Sequence, residues 1–236
     1  MGHPSVSCII PTRDSAASLR GAIESVLCQS VCPAEIIVAD AGSTDTSRDV
    51  AREFGSWVRL VWCARSTHAD ADVAAARRLG LRFATCDFIT MLDPVARWRP
   101  DKLERQLAHL AARPGLDLSI TEIGPETRLN GEQSALEHAY TTLLARRVAF
   151  GVSGDPEFML ALSRGDGWIS CAEDRGLRYE LLPEILAHIP GHTLAHVVED
   201  GPRTADEPTA SPARGQPRDG RLRWGADAFA GGSRGP

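Results

Sequence analysis

The chain has 236 residues, enough for one good-sized domain and at most a small appendage. Hydrophobic content of 43% and charged content of 24% are those of an ordinary globular protein, and a net charge of -5 leaves no basic footprint for nucleic acid. No apolar run approaches the roughly 20 residues that span a bilayer, and Met1 to Ser5 shows no signal-peptide pattern, so a cytoplasmic protein without a transmembrane segment is expected.

Val6 to Pro11 is a short apolar run closed by proline, which predicts a buried first strand. Asp14 or Ser15 can cap the helix that follows, where Leu19, Ala22, Ile23, Val26 and Leu27 recur at helical spacing. Glu35 to Asp40 predicts a second strand ending on an acid, Ala41 to Thr44 a turn, and Asp45 to Phe54 a helix stopped by Gly55. Trp57 to Trp62 suggests a third strand, and about Asp72 to Phe83 an Ala- and Arg-rich helix. Phe88 to Leu92 is a buried strand that ends on Asp93 and turns at Pro94. Pro100 suits the first turn of the next helix, which carries Leu103, Leu107 and Leu110 on one face and ends at Pro114-Gly115.

Further on, Leu116 to Ile120 reads as a strand, Glu132 to Phe150 as helical, and Leu177 to Leu182 as a late strand. Strand and helix alternate with short connections, which predicts a mostly parallel sheet covered on both faces. Residues 1–200 are expected to form one domain, with halves meeting near residue 115, while Gly, Pro and charge dominate 201–236, the signature of a disordered tail. Cys8, Cys28, Cys32, Cys63, Cys86 and Cys171 lack a second ligand pair for zinc and read as buried free thiols of a reducing compartment.

Five segments in this order resemble a family-2 glycosyltransferase of the GT-A fold. They are Val6 to Thr12, Ser25 to Gln29, Glu35 to Asp45, Ala76 to Leu81 and Asp87 to Leu107, with Leu182 to Leu186 a looser match. The resemblance implies a single Rossmann-like α/β domain that moves a sugar from a nucleotide-diphosphate donor, most readily a UDP-sugar, to a hydroxyl of a glycan or a lipid-linked intermediate. The first half of the domain would bind the nucleotide sugar and the second the acceptor, with peripheral membrane contact where the acceptor is a lipid.

Residue by residue, the resemblance implies that Pro11 and Thr12 line the nucleotide and that Arg13 stands in place of an aromatic. Asp14 replaces an asparagine. Asp40 matches the first of two acids after the second strand, and Ala41 replaces the second, which usually reads the base. Arg77 matches an arginine that faces the nucleotide. Asp93 matches the first acid of the metal loop, yet Val95 and Ala96 stand where further acids, one of them a direct metal ligand, would be. A divalent Mn or Mg ion is thus implied by the resemblance, and with Val95 in place of an acid the lone carboxylate of Asp93 would hold it only weakly unless phosphate oxygens and waters fill the other sites. His192 lies near a histidine that some relatives place by the diphosphate, which makes it a second metal-side candidate with Asp93.

A departing diphosphate needs positive charge where negative charge develops. With one carboxylate at Asp93, arginine offers a route that needs no ion, being permanently charged and matched to phosphate oxygens. Arg13, Arg77 and Arg97 all fall near predicted strand ends and are expected to carry some of that charge. An inverting transfer also needs a carboxylate base near the acceptor hydroxyl. Asp155 and Glu157, in Gly154 to Phe158, and then Asp166 are the candidates. His188, His192 and His196 share a spacing of four, but Pro190-Gly191 interrupts the helix that a shared metal site would need. The competing reading is a catalytically impaired GT-A module that keeps the fold for nucleotide or partner binding.

Overall fold

The computed structural model describes residues 4–65, 69–123, 139–150, 172 and 174–188. The first strand, β1 (Val6–Thr12), is buried along its whole length, as a central strand of a two-faced sheet must be. Helix α1 (Ala16–Leu27) follows, with Leu19, Ala22, Ile23 and Val26 buried on one face. Full burial of the Leu19, Ile23 and Val26 side chains contributes about 1.5–3 kcal/mol each. Next come β2 (Glu35–Asp40), α2 (Ser47–Glu53), β3 (Arg59–Trp62), α3 (Ala69–Phe83) and β4 (Phe88–Met91). A two-residue strand, β5 (Arg97–Trp98), precedes α4 (Lys102–Ala112). After it lie β6 (Leu118–Ile123), β7 (Leu144–Arg146) and β8 (Tyr179–His188).

Among the described residues eight strands form one sheet in the order β3-β2-β1-β4-β7-β6-β8-β5. The pairs β1–β2, β1–β4, β2–β3 and β6–β8 are parallel, whereas β7 is antiparallel to both its neighbours and β5 is antiparallel to β8. One apolar cluster packs α1, α2 and α4 against Cys8, Ile10, Ile36 and Val38. The other packs α3 against Ile9, Ile37, Ala39 and Met91 on the opposite face. Gly80 is what lets α3 come so close: a side chain there would overlap Cγ2 of Ile9 and stand 3.5 Å from Cβ of Ala39.

Three buried polar residues, Gln29, Lys102 and Gln106, tie the α4 face together. Gln29 donates to the carbonyls of Ser25 (3.1 Å) and Arg99 (2.7 Å) and accepts from the Leu103 amide at 3.0 Å. It thereby satisfies one orphan N–H at the start of α4, where Asp101 makes no side-chain cap. Lys102 is fully buried, with its ammonium 2.5 Å from Oε1 of Gln106 and 4.2 Å from the centroid of the Trp98 ring. Gln106 in turn donates to the Ser119 and Thr142 carbonyls, which joins α4 to the second half of the sheet.

Four expectations change. The segment read as helical over Glu132 to Phe150 contains β7, flanked by short 3-10 turns at Ala139–Thr142 and Arg147–Phe150. A run as short as Leu143-Leu144-Ala145 carries no period that separates helix from buried strand, and pairing with β4 and β6 decides it. The third strand loses its start to a 3-10 turn at Gly55–Trp57. The late strand runs on to His188, past Pro183, because its register against β6 shifts after Leu182, where a proline does no harm to the ladder. Cys28 and Cys32 are exposed rather than buried, though they are free thiols like Cys8, Cys63 and Cys86.

Candidate functional site

Because β1 to β4 are parallel, their carboxyl ends gather along one margin of the sheet. The chain leaves β1 toward β2 and β3 over one face, crosses back through α3 on the other, and re-enters beside β1 as β4. The β1–β4 boundary is therefore a topological switch point, the place where open α/β sheets leave a crevice for ligands. Its rim consists of Thr12 to Asp14 after β1, Asp40 to Thr44 after β2, Cys63 to Arg65 after β3, and Asp93 to Ala96 after β4.

Asp40 builds the β2 turn. Its buried carboxylate accepts from the amides of Gly42 (3.1 Å) and Ser43 (3.0 Å) through Oδ1, with Nε of Arg48 at 3.7 Å. Oδ2 is buried and has no hydrogen-bond partner among the described residues. Gly42 has φ of 73°, and a side chain on it would come within 2.6 Å of the Arg65 backbone nitrogen, so the β3 loop lies directly on the β2 turn. Ala41 is fully buried in the α3-side cluster, so the position matched to a base-reading acid is apolar core. Pro11 and Thr12 are buried too, and the Thr12 hydroxyl turns back to the Ile10 carbonyl at 3.2 Å.

At the tip of β1, Asp14 adopts φ of 45°, a left-handed conformation that Asp and Asn tolerate best among side chains. Asn and Asp are thus interchangeable here in backbone terms. Its Oδ1 accepts from the amide (2.7 Å) and hydroxyl (3.1 Å) of Thr44, and its Oδ2 from Nη1 of Arg65 at 2.9 Å. The Thr44 amide first, and the hydroxyl and Arg65 after it, hold the Asp14 carboxyl below its usual range. Sequence reasoning misses this cluster: Asp14 reads as a cap candidate and as the replacement of an asparagine, and Arg65 sits in a loop with no periodic or motif signal.

The loop after β4 is closed upon itself. Asp93 is half-buried and accepts the Val95 amide at 3.0 Å through Oδ1, while its carbonyl accepts the Ala96 amide at 2.9 Å. Val95 points to solvent with 37% exposure, and Ala96 is buried. Arg97 corrects an expectation. Its guanidinium donates to the carbonyls of Pro94 (3.2 Å), Ala96 (2.8 Å) and, on α1, Ser18 (2.9 Å). It fills the space left by Gly21, where a side chain would stand 2.5 Å from Nη2. Burial pulls Arg97 below its ordinary value. This arginine clips the loop to α1 and does not offer its charge to the crevice.

Arg77, the first of the Arg77-Arg78 pair on α3, is buried at 2% exposure. It precedes Gly80 by one turn on α3, and α3 runs back against the strands, so Arg77 lies a turn nearer the strand tips than the Gly80–Ile9 contact. The structure thus brings Arg13, Asp40, Arg77 and Asp93 to the tip margin, each at a different strand end or helix. Asp155, Glu157, Asp166 and His192 lie outside the described residues. Among the described residues no group of three or more His, Cys, Asp or Glu is placed to hold a metal ion. Asp93 alone, with Oδ1 already engaged and Val95 beside it, does not fit the six or more oxygen ligands that hard divalent ions take.

A family model described as Glycosyl transferase family 2 matches residues 7–166. Validoxylamine A glucosyltransferase of Streptomyces hygroscopicus subsp. limoneus is 32% identical over 107 residues, which are 44% of this chain and 23% of that protein. The Escherichia coli protein WfgD, a UDP-Glc:alpha-D-GlcNAc-diphosphoundecaprenol beta-1,3-glucosyltransferase, is 32% identical over 104 residues, 44% of this chain and 40% of the relative. The chain spans less than half the length of these curated relatives. Among solved structures, the mannosyltransferase PcManGT of Pyrobaculum calidifontis with GDP-Man and Mn2+ superposes with a TM-score of 0.60 at 20% identity, covering 79% of this chain and 57% of that one. TarS 1-349 of S. aureus with UDP gives 0.58 at 14% identity, over 78% and 60%. At these identities the structural likeness establishes the GT-A fold.

Proposed function

The chain belongs to glycosyltransferase family 2, and from that premise we propose that it transfers a sugar from a UDP-linked donor to a hydroxyl of a glycan or lipid-linked acceptor. The observation that carries this reading is the switch point between β1 and β4, with Arg13 and Asp93 on its rim and Arg77 buried above it. UDP bound to TarS and the UDP-glucose named for WfgD support the choice of donor, and the diphosphoundecaprenol acceptor named for WfgD supports a lipid-linked one. No helix among the described residues is long and apolar enough to cross a membrane.

In this scheme Arg77 and Arg13 face the charge that grows on the leaving diphosphate, and Arg97 takes no part. Desolvated guanidinium groups act there without reorganisation during the reaction. Mn2+ accompanies the donor nucleotide in PcManGT, yet the described residues do not fit a resident ion, and no step here is assigned to one. The proton of the acceptor hydroxyl passes to a carboxylate, for which Asp155, Glu157 and Asp166 remain the candidates.

Buried Ala41 and exposed Val95 favour a second reading, an impaired module that binds a nucleotide without turning it over. Release of free nucleotide from a panel of UDP-, GDP- and dTDP-sugars, with and without Mn2+, separates the two. The transferase reading expects release from a UDP-sugar, reduced about a hundredfold in Arg77→Met, as for loss of one charge-stabilising group. Donor binding without any release, unchanged in Asp93→Ala, establishes the module instead.

A further inference from the structure

We propose that Arg65 reads the nucleobase of the donor and that Asp14 positions it. This rests on the tip margin being the nucleotide-sugar site. Arg65 follows β3, its backbone packed on Gly42, and its side chain crosses the β2 turn to reach Asp14 at the end of β1. Nη1 is engaged with Oδ2 of Asp14 at 2.9 Å and lies 3.4 Å from the Thr44 hydroxyl. A guanidinium carries five N–H donors in a fixed fork, so one face is anchored while the remaining donors are held in a set direction. The side chain is 39% exposed, which leaves that face reachable by a ligand.

Three further observations assign the face to a base carbonyl rather than a phosphate. First, Asp14 already neutralises Arg65. Its carboxyl is kept below its usual range by the Thr44 amide, so the pair has no net charge to spend on an anion and presents donors suited to a neutral acceptor. Second, the sheet order β3-β2-β1-β4 separates the Arg65 loop from the Asp93 loop by three strand spacings, roughly 14 Å at about 4.8 Å each. One ligand spanning both ends meets them with different parts. Third, the position matched to a base-reading acid is the buried Ala41, so an acidic reader is missing from the β2 turn and a donor stands beside it instead.

A site with donors alone accepts the carbonyl at position 4 of uracil and meets the amino group of cytosine with like against like. UDP and CDP differ only along that edge of the ring, a carbonyl and N3–H in uracil against an amino group and an unprotonated N3 in cytosine, which makes them the matched pair for a test. Dissociation constants measured by calorimetry for the full chain should favour UDP by about tenfold or more, the cost of leaving a charged donor facing a donor. Arg65→Gln should bring the UDP/CDP ratio close to one while leaving the affinity for inorganic pyrophosphate unchanged. Asp14→Asn keeps the left-handed turn but loosens the fork, and should lower the ratio to an intermediate value. A wild-type ratio near one, or a high ratio that survives Arg65→Gln, overturns the assignment to Arg65 with the nucleotide site intact. If the wild-type chain binds neither nucleotide, the donor site itself is refuted and Arg65 loses its role with it.

Discussion

Two acid-bearing turns, after β2 and after β4, use the same local device to different ends. In each, an aspartate at the carboxyl end of a parallel strand folds its Oδ1 back onto amides a few residues ahead. Around Asp40 the device is sunk into the protein: the residue is fully buried, takes two amides, and has Arg48 alongside. Around Asp93 it takes one amide, stays half-buried, and ends on an outward valine. Burial turns the first acid into a piece of the frame, whereas partial exposure leaves the second able to meet a ligand. An aspartate at a strand tip is therefore not a site by position alone.

The largest effect expected from this contrast is on stability. Asp40→Ala leaves one buried and one partly buried amide unpaired and should cost about 2–4 kcal/mol, read from the urea midpoint. Asp93→Ala loses one partly solvated hydrogen bond and should cost about 1 kcal/mol or less. Equal stability losses would dissolve the distinction between frame and site.

A buried charge far from any proposed ligand sharpens the same point. Lys102 is as buried as Asp40, and burial pushes its amine down from 10.5 to about 7. The folded value lies below the unfolded one, so between these limits the unfolded chain binds the extra proton and stability rises with pH. Below about 7 both states are protonated, and the full cost of burying the charge is present. The gain should approach, at most, about 1.4 kcal/mol per pH unit across that window. Unfolding of wild type and Lys102→Met at pH about 7.5 and about 9.5 isolates this slope, since groups common to both cancel. Parallel slopes would mean that Gln106 and Trp98 hold the ammonium without penalty.

The frame was legible in the sequence where patterns are local and repeated. Glu35–Asp40 emerges with its predicted bounds because an apolar run, a terminal acid and a glycine turn all agree. Gly55 does stop the preceding helix, with φ of 57°. The second half was harder, since β7 is a three-residue strand defined by its neighbours and β8 hides a proline inside a register shift. Within the site, motif matching found positions but not directions. Arg97 looked like a charge for the diphosphate, and only the vacancy at Gly21 draws it to α1. Gln29 belongs to a motif segment, while its task of joining α1 to the start of α4 depends on contacts 70 and 74 residues apart. Arg65 gave no signal at all, because its meaning comes from Asp14 across two strands.

The smallest expected effect tests whether the exposed turn kept the geometry of a metal loop after losing its acids. Val95 is outward-facing, so Val95→Asp adds a carboxylate without opening a cavity or burying a charge, and the fold should tolerate it. Two carboxylates two residues apart, with diphosphate oxygens and water completing the shell, give a hard cation enough oxygen to prefer the loop over bulk water. Mn2+ should then tighten UDP binding by about tenfold in Val95→Asp, or about 1.4 kcal/mol, and by much less in the wild-type chain. If the variant gains nothing, the Asp93 turn, clipped by Arg97 and closed on its own amides, has set into a shape that no longer admits an ion. A wild-type chain that already gains as much would show that a lone carboxylate suffices, and the contrast between the turns would rest on burial alone.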